Sequence, residues 1–119
     1  GKLLTIWDRE IVVEETTGRS FEGVDIAFIS VSTEMSQKLA PLAVAAGAVV
    51  IDDSSAFRME ETVPLVVPEV NGDDVEWHQG ILSIPNCSTT PLVMVCHPVG
   101  RRRPAAGGLM HASALGATE

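Results

Sequence analysis

Cys87 is the residue of this chain whose surroundings best suit a nucleophile. It lies in the stretch ILSIPNCSTTP, residues 81–91, where an apolar run rich in β-branched residues ends at a proline and a Ser/Thr cluster follows. Pro85 favours extended geometry in the residue before it, so a strand can run up to that point. Residues 88–90 supply suitable helix N-caps, and Pro91 suits the first helical position. The pattern predicts that Cys87 lies between the end of a strand and the start of a helix.

This position could make the Cys87 thiol reactive. Main-chain N–H groups and the helix dipole at a helix start favour the thiolate, which is the nucleophilic form of cysteine. Residues 92–95, LVMV, are predicted to form the buried face of that helix. The alternative is that Cys87 is a small buried hydrophobe, as unpaired cysteines often are. The local sequence leaves both roles open.

Arg58 is a candidate for binding an anion. It lies in the polar loop DDSSAFRM, residues 52–59, which follows a predicted buried strand. A guanidinium group can bind phosphate through two parallel hydrogen bonds. Glu60 and Glu61 are near enough in sequence to pair with Arg58 instead, so an ion pair is the alternative.

A strand–helix–strand unit would position these residues. Two apolar runs, residues 24–30 and 48–52, predict strands of a parallel sheet that is covered on both faces. Between them, Thr33 is predicted to cap a helix that Gly47 ends, with a kink or break at Pro41. The apolar face of this helix is predicted from side chains that recur every three or four positions: Met35, Leu39, Leu42 and Ala46.

The turn from Ser30 to Thr33 is a candidate cofactor site. It joins the carboxyl end of a predicted strand to the start of the predicted helix, which is where parallel sheets commonly bind phosphates and cofactors. A turn that only caps the helix would have the same sequence features.

The other segments complete the predicted fold. Residues 3–6 and 11–14 predict a β-hairpin, and residues 63–70 predict an extended segment whose prolines keep it out of the centre of the sheet. Together the segments predict an α/β protein with an incomplete Rossmann-like fold, in which helices flank a mainly parallel sheet.

Composition and charge restrict the kinds of partner. The chain has 119 residues, of which 45% are hydrophobic and 20% charged, as expected for one soluble globular domain. A net charge of −8 argues against nucleic acid, and no apolar run approaches the ~20 residues of a membrane span. Two cysteines indicate a reducing, cytoplasmic setting. Cys87, Cys96 and His97 fit no metal-ligand spacing, so no metal site is predicted.

Five motifs in order resemble the aspartate-semialdehyde dehydrogenase family. The resemblance covers about residues 1–95 and is specific because the motifs keep their order and spacing. The motifs are FEGVDIA at 21–27, AGAVVID at 46–52, SSAFRM at 54–59, VPLVVPEVN at 63–71 and PNCST at 85–89.

The resemblance implies an activity and a set of site residues. It makes Cys87 the nucleophile that attacks L-4-aspartyl phosphate and forms a thioacyl enzyme, which hydride from NADPH reduces to L-aspartate 4-semialdehyde. It makes Arg58 and Asn86 the residues that bind the substrate phosphate, and it places Ser30, Ser32 and Thr33 beside NADP. It further implies a role in lysine, threonine and methionine biosynthesis, in a cytoplasmic homodimer.

The sequence departs from the family pattern in several places. Asp53 stands where the family commonly has asparagine, and Ser32 and Thr33 replace small residues. The family's glycine-rich turn and substrate domain have no counterpart, and the resemblance fails after Pro98. We therefore expect residues 1–97 to form a partial NAD(P)-binding domain and residues 98–119 to be a disordered tail outside the family.

Two alternatives to this activity remain. The chain could be an inactive fragment that acts at most as a binding module, since the residues for a complete catalytic site are missing. It could also resemble an N-acetyl-γ-glutamyl-phosphate reductase, although the PNCS sequence around Cys87 is of the aspartyl type.

Overall fold

The computed structural model describes residues 1–102, which form five strands and three α-helices. Two short 3-10 segments, Gly18–Phe21 and Gly72–Trp77, connect some of these elements. In chain order the strands and helices are β1 (Lys2–Ile6), β2 (Arg9–Val13), β3 (Ile26–Ile29), α1 (Thr33–Ala45), β4 (Val49–Asp52), α2 (Pro68–Asn71), β5 (Ile81–Ser83) and α3 (Thr89–Arg102).

A three-stranded parallel sheet in the order β3-β4-β5 organises the described residues. α1 makes the crossover between β3 and β4, so the predicted βαβ unit and α/β fold class are confirmed. Leu65 extends the sheet by a single parallel bridge to Ser83, which agrees with the predicted extended segment. Since all three strands run the same way, their carboxyl ends lie at one edge of the sheet.

The core lies between α1 and one face of this sheet. Ala27, Ile29 and Val50 point from the sheet, and Ala40 and Ala43 meet them from the helix. Small alanine side chains allow the helix to approach the strands closely, and close packing of apolar groups is the main stabilising contribution in such a core.

The predicted buried face of α1 is correct for Leu39 and Ala46, which pack against the core, but wrong for Met35 and Leu42. Met35 and Leu42 are each 43% exposed, whereas Ser36, Ala40 and Ala43 are buried. The helix also begins with Ser32 as its N-cap, and it continues through Pro41 without the predicted break. Pro41 lies on the exposed side, where water can bind the carbonyl group that lacks its helical partner.

Glycine ends α1 as predicted. Gly47 has a φ of +96°, in the left-handed region that residues with a side chain rarely adopt. Its N–H donates to the Val44 carbonyl, and the next N–H, of Ala48, donates to the Ala43 carbonyl. This closure satisfies carbonyl groups of the last helical turn and directs the chain into β4.

The opposite face of the sheet is only partly covered within the described residues. Ile26 and Phe28 of β3 are 56% and 78% exposed, so the prediction of a sheet covered on both faces is wrong for β3. On the neighbouring strands, Ile51 and Leu82 are half-buried. The predicted buried face of α3 is also wrong, because Leu92 is 48% and Val95 70% exposed. Apolar side chains of this kind are usually buried, but no element within residues 1–102 covers these four exposed ones.

The predicted N-terminal hairpin is confirmed. β1 and β2 pair antiparallel, and the two-residue turn of Trp7 and Asp8 has φ values of 52° and 62°. Positive φ at both turn positions suits the right-handed twist of paired strands. Every residue of both strands is exposed, so the hairpin adds little to the core.

The C-terminal predictions lie mostly outside the described residues. Of the predicted tail at 98–119, only residues 98–102 are described, and they form the end of α3. Among the helices of residues 1–102, none has the length and apolar character needed to cross a membrane.

Candidate active site

Three turns meet at the carboxyl edge of the sheet and bring the predicted site residues together. The turn after β3 carries Ser30, the loop after β4 carries Arg58, and the turn after β5 carries Cys87. Each turn follows a strand of the same parallel sheet, so the strands fix their relative positions.

Cys87 is exposed and lies between β5 and α3, as predicted. Its thiol donates to the side-chain oxygen Oδ1 of Asn86 at 3.5 Å. The same oxygen accepts from the main-chain N–H of Ser88 at 3.0 Å and from the Ser88 hydroxyl at 2.9 Å. An exposed thiol at this junction agrees with a reactive cysteine and not with the alternative of a buried hydrophobe.

The cap of α3 differs from the prediction. The main-chain carbonyl of Asn86 accepts from the N–H groups of Thr89 and Thr90, and Asn86 Oδ1 accepts from Ser88. α3 begins at Thr89, so Pro91 is its third residue and not its first. Asn86 therefore satisfies the donors at the helix start that the Ser/Thr cluster was predicted to satisfy.

Arg58 is held against the turn that leads to Cys87. Its Nε donates to the main-chain carbonyl of Ile84 at 2.9 Å, and its Nη2 donates to that of Asp53 at 3.0 Å. Ile84 precedes the cysteine by three residues. The arginine thus joins the loop after β4 to the turn after β5 and lies half-buried at the sheet edge.

The hydroxyl groups of the predicted cofactor turn already form hydrogen bonds. Ser30 donates to Asp53 Oδ2 at 3.2 Å, and Thr33 Oγ1 lies 2.9 Å from Ser55 Oγ. Ser32 Oγ accepts from the Met35 main-chain N–H at 3.4 Å. The turn both caps α1 and links it to the loop that carries Arg58.

The start of α1 is negatively charged. The pKa of the Glu34 carboxyl lies below its ordinary value, because the carboxylate accepts hydrogen bonds from its own main-chain N–H and from the Ser32 hydroxyl, and Lys38 adds a smaller attraction. Asp53 adds a second carboxyl group beside Ser30. Negative charge at a helix N-terminus is favourable, since the helix dipole is positive there.

A buried cluster beneath the loop was missed by the sequence analysis. Asp52, the last residue of β4, is fully buried, and its Oδ1 accepts from the Ser36 hydroxyl. Its Oδ2 accepts from the Ser54 hydroxyl at 2.8 Å. An acidic residue that ends a buried strand and precedes two serines is the sequence signal that could have revealed this cluster.

Metal binding has no support in this part of the chain. Within residues 1–102, the structure contains no group of three or more His, Cys, Asp or Glu side chains placed to hold a metal ion.

Comparison with known proteins identifies the relatives of this chain. Residues 5–78 match the family described as semialdehyde dehydrogenase, NAD binding domain. The chain is 50% identical over 99 residues to an aspartate-semialdehyde dehydrogenase of Bacillus subtilis, and the aligned region covers 83% of this chain and 29% of that protein. It is 45% identical over 102 residues to the enzyme of that name from Aquifex aeolicus, with 83% and 30% covered.

Solved structures of similar proteins share the fold. Aspartate semialdehyde dehydrogenase II of Vibrio cholerae, solved in complex with ASA, has a TM-score of 0.71 and 37% identity, over 85% of this chain and 34% of that one. Aspartate semialdehyde dehydrogenase of Candida albicans, solved with NADP, has a TM-score of 0.64 and 26% identity, over 80% and 31%.

These relatives confirm the predicted resemblance to aspartate-semialdehyde dehydrogenases and the Rossmann-like fold class. The chain spans less than a third of the length of the curated relatives it matches, 29% and 28% for two of them. The predicted nicotinamide dinucleotide cofactor agrees with the description of the matched family, which is an NAD-binding domain. Because the match extends over more than half of its residues, the chain belongs to the semialdehyde dehydrogenase family, through the NAD-binding domain of that family.

Proposed function

We propose that this chain is the cysteine-bearing part of an aspartate-semialdehyde dehydrogenase. The reaction is the reductive dephosphorylation of L-4-aspartyl phosphate to L-aspartate 4-semialdehyde. The observation that carries the proposal is the 2.9 Å hydrogen bond from Arg58 to the Ile84 carbonyl, because it holds a cation beside the turn of an exposed cysteine. A nucleophile next to a group that can bind phosphate suits an acyl phosphate substrate.

Cys87 is the proposed nucleophile. Its thiolate attacks the acyl carbon of the substrate, a C–S bond forms, and the C–O bond to the phosphate breaks, so that inorganic phosphate leaves. The position of Cys87 before the start of α3 supports this role, because a helix N-terminus stabilises negative charge on the sulfur. The resulting thioacyl enzyme carries the aspartyl group on Cys87.

Arg58 and Asn86 are the proposed ligands of the substrate phosphate. The positive charge of Arg58 offsets the negative charge that develops on the departing phosphate. Asn86 Oδ1 faces Ser88 and the thiol, so a phosphate oxygen would be bound by the Nδ2 amide group of Asn86. The two residues lie on neighbouring turns and could bind one anion together.

The turn at Ser30, Ser32 and Thr33 is the proposed contact with the NADP cofactor, which would supply the hydride in its reduced form, NADPH. The hydroxyl of Ser30 is occupied as a donor and Asp53 is negative, so this turn suits a neutral group that donates hydrogen bonds better than it suits a phosphate. The residues therefore fit the carboxamide or a ribose hydroxyl of a dinucleotide.

The pathway, the cellular location and the oligomeric state of the parent enzyme are parts of the same proposal. We propose that the parent enzyme contributes to lysine, threonine and methionine biosynthesis as a cytoplasmic homodimer. The support is the similarity to aspartate-semialdehyde dehydrogenases of several bacteria. We also propose the boundary near residue 97 between the NAD(P)-binding part and a separate tail.

Acylation of the cysteine tests the proposed chemistry. The purified chain is mixed with L-4-aspartyl phosphate, and intact-mass spectrometry measures an aspartyl thioester that hydroxylamine removes. We expect the adduct on Cys87, with formation slowed by on the order of tenfold or more in Arg58→Ala because a charge-assisted contact to the phosphate is lost. Steady turnover is expected to be negligible without the remaining catalytic groups.

The second cysteine provides the control. Cys96→Ser should keep the adduct, and Cys87→Ser should abolish it. N-acetyl-γ-glutamyl phosphate should acylate the chain more slowly than the aspartyl compound. An adduct on Cys96, or an equal rate with the Arg58→Ala variant, would contradict the proposal.

A further inference from the structure

A fully buried carboxyl group lies beneath the loop that carries Arg58. Asp52 is 0% exposed, and each of its two oxygens accepts a hydrogen bond from a serine. Ser36 belongs to α1, so one hydrogen bond ties the carboxyl group to the helix. Ser54 belongs to the loop after β4, so the other, at 2.8 Å, ties it to that loop. Strand, helix and loop therefore meet at one buried side chain.

Ser54 sets the shape of the loop. Its hydroxyl oxygen donates to Asp52 and also accepts from the main-chain N–H of Ala56 at 3.0 Å. A serine that binds the main chain two residues later produces a tight turn. The chain then returns towards the sheet edge, where Nη2 of Arg58 donates to the Asp53 carbonyl.

The same path reaches the cysteine turn. Nε of Arg58 donates to the carbonyl of Ile84, three residues before Cys87. The main-chain carbonyl of Asp52 accepts from the Ile84 N–H at 3.0 Å. The N–H of Ile84 is therefore bound by Asp52, and its carbonyl is bound by Arg58. Hydrogen bonds, together with the main chain from Ala56 to Arg58, therefore connect the buried carboxyl group to the candidate active site.

We propose that Asp52 is a positioning residue for Arg58. The carboxyl group of Asp52 holds the Ser54 hydroxyl in place, and that hydroxyl holds the tight turn through its hydrogen bond with the Ala56 N–H. The turn determines where the guanidinium group of Arg58 lies relative to Cys87. The buried hydrogen bonds of Asp52 are more effective for this than the single exposed one between Ser30 and Asp53, because water does not compete with them and a lost partner is costly. The inference rests on the proposed role of Arg58 in phosphate binding.

The two serines provide a matched pair of variants. Ser54→Ala and Ser36→Ala each remove one donor from the same carboxyl group, and both side chains are buried, at 7% and 0% exposure. Only Ser54 belongs to the loop that carries Arg58, whereas Ser36 belongs to α1. The measured quantity is the rate at which iodoacetamide alkylates Cys87 in the full chain, with Cys96 as internal reference, over a series of inorganic phosphate concentrations.

We expect Ser54→Ala to raise the phosphate concentration for half-maximal protection of Cys87 by about tenfold, since the cation is displaced from the phosphate site. Ser36→Ala should leave that concentration close to the unsubstituted value, although thermal unfolding shows a similar loss of stability in both variants. Equal effects of the two variants on protection would overturn the proposal.

Arg58→Ala separates this inference from the proposed function. If Asp52 acts through Arg58, adding Ser54→Ala to Arg58→Ala causes no further loss of protection, and additive losses would overturn the inference. If phosphate gives the unsubstituted chain no protection, the proposed phosphate site fails. Amide hydrogen exchange at residues 56–58 and at Cys87 then decides the positioning role, which requires faster exchange in Ser54→Ala than in Ser36→Ala.

Discussion

The side chain of Asn86 combines structural and chemical roles at the scale of a single residue. Its Oδ1 accepts from Ser88 and from the thiol of Cys87, and its main-chain carbonyl accepts from the first residues of α3. One residue therefore starts the helix and orients the candidate nucleophile. The amide group Nδ2 lies on the opposite side of the carboxamide from these contacts, and it is the part proposed to meet phosphate.

Replacing this amide by a carboxylate separates the two roles. Asn86→Asp keeps an oxygen that can accept from Ser88, so denaturant unfolding should show unchanged stability. The added negative charge repels both phosphate and the thiolate, so alkylation of Cys87 should slow several-fold and lose its phosphate dependence. Asn86→Ala is the counterpart, with an expected loss of about 1 kcal/mol as the cap is removed. Unchanged alkylation and phosphate dependence in Asn86→Asp would exclude the proposed role of the amide.

The sequence was sufficient to predict the residues of this turn but not their contacts. The proline and the Ser/Thr cluster around Cys87 predicted a strand end followed by a helix start, and both are present. Several adjacent residues were suitable caps, and their local preferences do not decide between them. The choice of Asn86 depends on how the chain leaves β5, which is set by the sheet and by the contact of Ile84 with Arg58.

At the scale of the element, α1 shows why the largest apolar residues are not always the buried ones. The apolar spacing predicted four residues at the core, of which Leu39 and Ala46 do pack against it, whereas the bulkier Met35 and Leu42 are exposed. Here Ala40 and Ala43 face it instead, and Ser36 is buried because it binds Asp52. The sequence was sufficient to predict that the helix exists and where it lies in the chain. Which of its faces meets the sheet depends on a tertiary polar contact, the hydrogen bond of Ser36 with Asp52.

The first turn of α1 also has a pH dependence that can be measured. The pKa of Glu34 is lowered from 4.5 chiefly by its own main-chain N–H and next by the Ser32 hydroxyl. Because the folded state favours the ionised carboxylate, its contribution to stability is present above pH 4.5 and is lost as the pH falls through the lower folded pKa. We expect Ser32→Ala to raise the Glu34 pKa towards 4.5, as measured by NMR titration of the side-chain carboxyl carbon.

Lys38→Ala is a matched comparison for that titration. Lys38 is the smallest of the causes that lower the Glu34 pKa, so its removal should raise the pKa less than Ser32→Ala does. A Glu34 carboxyl that titrates at its ordinary value in the unsubstituted chain would show that these hydrogen bonds do not form in solution.

At the scale of the whole described region, many apolar side chains are exposed. They include residues of the hairpin of β1 and β2, of the outer face of β3, and of α1 and α3. The fold class could be predicted because strand and helix periodicity are local, but this exposure could not, since it depends on which elements are available to cover each face. Exposed apolar surface of this extent promotes association between molecules.

The outer face of β3 allows this association to be tested. Phe28 is 78% exposed beside Ile26, and β3 is an edge strand with one side unpaired within the described sheet. Phe28→Thr removes the aromatic surface and keeps a residue that favours strands, so we expect sedimentation velocity to show less concentration-dependent association of the chain. Met59→Thr is the control, because Met59 is also 59% exposed but lies in the loop after β4. If both substitutions reduce association equally, general hydrophobicity and not the open sheet face is the cause.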